Sequence, residues 1–171
     1  MSASADPVPG DQARVSVVVA TSQHEAFRVF TEEIDQWWRR GLRYRVAGTH
    51  RGFIRLEPGV GGRLFESFER GSETIVVDTG RVTTWEPPSR LVFEWRSVTF
   101  APAERTEVEV LFEPSREGTR VTVAHRGWSS IRPDHPVRHG QEVAAFIRTM
   151  GLWWGGLMES MRLRIEENES S

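Results

Sequence analysis

Residues 140–165 carry the longest helical periodicity in the chain, and any fold has to accommodate them. Val143, Phe146, Ile147, Met150, Trp154, Leu157, Met158, Met161 and Ile165 recur at steps of three and four. That spacing lays one apolar stripe along a single long helix. Arg148, Glu159, Arg162, Arg164 and Glu166 fall mostly off the stripe, on the side left for solvent. At its centre, Gly151-Leu152-Trp153-Trp154-Gly155-Gly156 sets three glycines around two tryptophans. An interior glycine costs a helix about 1 kcal/mol relative to alanine. Two explanations follow: the helix makes room beside bulky side chains as the wall of a cavity, or it packs closely on a sheet.

A long amphipathic helix needs a surface to cover, and the preceding hundred or so residues supply one. Residues 14–20 alternate as a strand, with Val15, Val17 and Val19 opposed to Arg14, Ser16 and Val18. Ser22-Gln23-His24-Glu25 has the form of a capping box and starts a short helix that turns Ala26, Phe27, Val29 and Phe30 inward. A second short helix over 32–38 groups Ile34, Trp37 and Trp38, so the two form an elbow. Residues 39–51 are arginine-rich and irregular, and are expected to be a mobile connection. From Gly52 the period becomes two, with strands at 52–57, 63–69, 74–85, 90–96, 107–113 and 119–125 separated by turn residues. Short turns between consecutive strands require an antiparallel sheet, which the long helix is left to cover.

Composition closes off several chemistries. The chain has no cysteine, which removes thiol nucleophiles, disulfides and thiolate metal sites. It also has no lysine, so all 22 basic residues are arginine, and neither Schiff-base catalysis nor a P-loop lysine is available. A net charge of −2 argues against a nucleic-acid partner. No apolar run approaches the roughly 18 residues that span a bilayer, so membrane insertion is not expected. The first ten residues carry neither the basic nor the apolar segment of a secretory signal, and a cytoplasmic location is expected. The domain reading is a flexible arm over 1–12 and one domain over 13–167.

The order of elements, with particular residues, resembles the helix-grip or START-like superfamily, and within it the homologues of the activator of the heat-shock chaperone ATPase. The residues that carry the resemblance are Phe-Arg-Val-Phe-Thr-Glu-Glu-Ile-Asp-Gln-Trp-Trp at 27–38, Leu-Glu-Pro-Gly-Val-Gly-Gly-Arg at 56–63 and Gly80-Arg81-Val82. Trp85-Glu86-Pro87-Pro88, Arg90-Leu91-Val92-Phe93-Glu94-Trp95 and His125-Arg126-Gly127-Trp128 complete them, so that the match covers about residues 14–166. The resemblance implies an α+β fold: a curved antiparallel sheet wrapped around a long C-terminal helix, with two short helices after the first strand. It also implies an apolar cavity between sheet and helix.

Seven tryptophans and nine phenylalanines suit such a cavity, since a wall of rings holds a flat or greasy ligand by burial and stacking. The expected ligand-binding residues are Trp37 and Trp38 at the entrance, Phe93, Trp95, Phe112 and His125 on the sheet, and Phe146, Met150 and Trp154 on the helix. His125 shares the parity of Val121 and Val123 and points inward. It is either a general base paired with Glu57 or Glu66, or an interior histidine that braces the last strand. Arg55 and Arg63 can meet an anionic group at the mouth.

No catalytic set is defined. Gly127-Trp128-Ser129-Ser130 lacks the flanking glycines of a nucleophile elbow, and Gly59-Val60-Gly61-Gly62 reads as a hairpin turn because no helix follows it. In His135-Pro136-Val137-Arg138-His139 the proline disrupts a helical metal face; neither metal nor cofactor is expected. Three functions remain open: carriage of a small hydrophobic or aromatic molecule, a cyclase- or hydrolase-like enzyme using the same cavity, and a co-chaperone-type interaction domain. The resemblance lowers the last, because the chaperone activators carry an additional N-terminal domain for which this chain has no room.

Overall fold

Alternation and turn chemistry are realised strand for strand in the computed structural model, which describes residues 11–96, 100–102, 104–131, 135 and 143–171. The chain runs β1 (Gln12–Val19), α1 (Gln23–Glu32), α2 (Ile34–Trp37), β2 (Gly52–Leu56), β3 (Arg63–Arg70), β4 (Glu73–Glu86), β5 (Arg90–Trp95), β6 (Thr106–Ser115), β7 (Gly118–Arg126) and α3 (Val143–Glu169). A short 3-10 turn, Trp128–Ser130, follows β7. The strands form one antiparallel sheet in the order β1-β7-β6-β5-β4-β3-β2. This is the α+β helix-grip arrangement.

Local signals start and stop the elements. Ser22 Oγ accepts the Glu25 N–H at 3.1 Å and caps α1. Glu25 does not complete a capping box in the described hydrogen bonds; its carboxylate engages Arg28 instead. Gly59 and Gly61, at φ 83° and 88°, make the left-handed turn that joins β2 to β3. Hairpin connections then leave β1 as the single long-range pairing, with Val15 opposite Val123 and Val17 opposite Val121. One row across the inner face runs Ala13, His125, Val108, Phe93 and Val82.

The apolar stripe of α3 closes that face. Phe146, Met150, Trp154, Leu157, Met158, Met161 and Ile165 are all buried. Ser160 Oγ donates to the Trp37 carbonyl at 2.6 Å and Arg164 pairs with Glu33 at 2.8 Å, tying α3 to the elbow. The expected start of this helix at 140 lies outside the described residues, and its end runs past Ile165 to Glu169. The three glycines are not equivalent. A methyl group added at Gly151 or Gly155 would meet nothing within 4 Å, whereas one at Gly156 would lie 3.0 Å from Tyr44 Oη and 3.2 Å from Arg39 Nη1. Close packing thus explains Gly156 alone, and there against the 39–51 connection, not the sheet.

Two expectations change. Residues 1–10 of the arm lie outside the described residues, but its last two belong to the fold. Gln12 pairs with Arg126, and the buried Asp11 carboxylate accepts both the N–H and the hydroxyl of Ser129. The connection over 39–51 is anchored, not loose. Arg45, 4% exposed, donates to the Asp35 carboxylate at 2.7 Å and to the carbonyls of Asp35, Trp38 and Arg39. From the sheet side, buried Glu66 accepts the Val46 and Ala47 N–H groups. Arginine counts suggested a solvated segment; one of those arginines is its internal clamp. Among the described residues no helix is long and apolar enough to cross a membrane.

Candidate functional site

Inward parity on the sheet and the stripe on α3 together place rings against rings. Phe27 contacts Trp85 and Phe112, each at 5.1 Å between centroids; Phe112 meets Phe30, and Phe30 meets Trp37 at 4.9 Å. The series continues through Trp38 to Trp154 at 5.7 Å, then to His125, Trp128 and Phe146. Of the nine expected residues, Trp37, Trp38, Trp95, Phe112, His125, Phe146 and Trp154 join this array. Phe93 lies on the inner row between Val82 and Val108, and Met150 is buried on α3 one turn before Trp154. Trp95 is half-buried and the other eight are buried.

The placement at the elbow differs from the expected entrance. Trp37 and Trp38 are 1% and 3% exposed, and the 39–48 segment is tied to Trp38 through Tyr44. Trp37 Nε1 donates to the Val29 carbonyl and Trp38 Nε1 to the Tyr44 carbonyl. Trp153 Nε1 donates to the Arg43 carbonyl, and its ring stacks on Tyr44 at 5.6 Å. Two open recesses lie beside β2, one of about 500 Å3 near Arg40, His50 and Arg51, the other of about 350 Å3 near Phe53, Phe68 and Thr74. Neither is lined by any of the nine.

His125 is the polar centre of the interior. Trp154 Nε1–H donates to its Nδ1 at 3.0 Å, which puts the ring proton on Nε2. Nε2 then donates to Thr106 Oγ1 at 2.7 Å, and Thr106 passes its own proton to the Trp95 carbonyl at 3.0 Å. Every member of this relay has one defined role. Complete burial pushes the imidazole down to about 3, because the cation would lose its hydration there. The carboxylates expected opposite it are engaged elsewhere, Glu66 on Val46 and Ala47 and Glu57 on Arg63 at 2.8 Å. Arg63 also lies over the Phe65 ring and Arg55 over that of Phe53, so both arginines sit on the outer strands.

The sequence reading did not single out Trp128, Phe27, Phe30 or Phe100 as site residues. For Trp128 the available signal was Gly127, whose φ of 96° turns the chain back so that the next side chain is fully buried. His135 is buried against Phe100 at 5.0 Å, while the rest of the 135–139 motif lies outside the described residues.

The family described as Activator of Hsp90 ATPase homolog 1-like protein matches residues 20–147. No curated protein matches the sequence. Similar solved structures include protein NE0264 of Nitrosomonas europaea, 13% identical, with a TM-score of 0.64 over 96% of this chain and 99% of that one. The AHSA1-like protein of Aeromonas hydrophila is 18% identical, with a TM-score of 0.60 over 94% and 95%. An anthrahydroquino-gamma-pyrone synthase, Txn09, complexed with SUM, is 32% identical, with a TM-score of 0.50 over 81% of this chain and 87% of that one.

Proposed function

Because the chain belongs to the family of Activator of Hsp90 ATPase homolog 1-like proteins, we propose that it binds a small hydrophobic or aromatic molecule between the sheet and α3. The observation that carries this reading is the ring array itself. It runs unbroken from Phe112 to Phe146, and its polar atoms are few and mostly paired internally. Such a lining favours a flat, uncharged ligand that replaces ring–ring contacts with contacts of its own.

A second reading, a cyclase- or hydrolase-like enzyme using the same space, draws support from the 32% identity to the synthase. His125 is a poor general base for it. Both ring nitrogens are engaged, no carboxylate partners it, and its affinity for a proton is low at neutral pH.

Native mass spectrometry of the purified protein, compared with its denatured mass, tests the binding reading. A defined apolar adduct that Trp154→Ala no longer retains is the expected result. A protein that carries no adduct and retains neither aromatic nor lipid probes sinks the reading.

A further inference from the structure

Five of the seven tryptophans have indole N–H groups whose bonding is defined, and four follow the usual rule for buried polar groups. Trp37, Trp38 and Trp153 donate to backbone carbonyls and Trp154 donates to His125. Trp128 is the exception. Its side chain is fully buried, and Nε1 alone among the buried side-chain polar atoms of the described residues has no hydrogen-bond partner.

The surroundings explain why no acceptor is at hand. The ring lies 4.4 Å from His125, 4.8 Å from Phe146 and 6.0 Å from Trp95. His125 presents no free lone pair, because Nδ1 already accepts from Trp154 and Nε2 carries the proton given to Thr106. A buried donor without an acceptor costs stability, and a ring face is a weak substitute. Replacing the indole with phenylalanine would remove that cost and keep most of the apolar contact.

Resting on the binding role proposed above, we propose that Trp128 Nε1–H is the polar anchor of the ligand site and takes the carbonyl oxygen of a flat aromatic ketone or quinone. An N–H is a donor only, so the ligand atom is an acceptor. The described ring neighbours carry no charge and an unpaired carboxylate is costly to bury, so that acceptor is neutral. The edges of surrounding rings select a flat aromatic frame.

Fluorenone and fluorene share a frame and differ in one carbonyl. Their affinities, measured by equilibrium dialysis against wild type and Trp128→Phe, isolate the proposed bond. The ratio of fluorenone to fluorene affinity is expected to fall about fivefold in the variant, the size of one net hydrogen bond. In the 15N–1H spectrum of the wild type, the Trp128 indole signal should move downfield with fluorenone and not with fluorene. That spectrum decides the matter on the native protein if the variant fails to fold. Binding of both probes with an unchanged ratio and an unmoved indole signal overturns the anchor and leaves the binding role standing. Failure of wild type to bind either probe overturns both.

Discussion

At the scale of single residues, His125 shows how a fold can use a titratable group without titrating it. Its ordinary value of 6.5 is lowered to about 3 by burial. Below pH 6.5 the unfolded chain therefore takes up a proton that the folded chain refuses until about pH 3. Stability is fully present above pH 6.5 and falls with pH in that window, by up to about 1.4 kcal/mol per pH unit from this one group. Glu25, Glu57 and Glu159, held low by hydrogen bonds from Arg28, Arg63 and Arg162, stabilise the fold above their ordinary 4.5, and that contribution is lost only as pH falls below it. Urea denaturation between pH 6.5 and 4.5 should thus show a slope that His125→Gln flattens, although the variant is less stable at pH 7. An unchanged slope would refute the assignment. Strand parity revealed the inward aim of this side chain. Its partners Trp154 and Thr106 lie 29 and 19 residues away and no local pattern names them.

At the scale of elements, α3 separates what a stripe specifies from what glycines add. The stripe predicts the buried face at Phe146, Met150, Trp154, Leu157, Met158, Met161 and Ile165, while Ile147 is only half-buried. The glycines read alike in sequence, yet only Gly156 meets a neighbour. Gly151→Ala and Gly155→Ala should each stabilise the protein by about 1 kcal/mol, through helix propensity and a less flexible unfolded chain. Gly156→Ala should gain less, because its methyl must displace Tyr44 Oη and Arg39 Nη1. Chemical denaturation of the three variants checks that order; equal gains would mean that the 39–48 segment yields freely. The anchoring of that segment was illegible for the same reason. Arginines solvated at the surface and an arginine that clamps carbonyls look identical until the carbonyls converge.

Across the whole molecule, the sheet and α3 form one apolar interior, so occupancy and stability are linked. A ligand held there and not by the unfolded chain should add about 2.7 kcal/mol at a free concentration one hundred times its Kd. Thermal denaturation with fluorenone should therefore show a rise in Tm that saturates with the measured affinity. A Tm indifferent to saturating probe would mean that the folded protein does not bind it in preference to the unfolded chain. The amino-acid sequence by itself determined the elements, their order, their inward faces and the antiparallel connections, because caps, turns and periodicity act within a few residues. Only the tertiary structure decided that β1 closes on β7, that Trp37 and Trp38 are buried with Trp38 bonded to the Tyr44 carbonyl, and that Trp128 is buried without an acceptor. Those outcomes depend on which distant groups meet when the sheet curls, and pairing partners are set by that closure and not by local spacing.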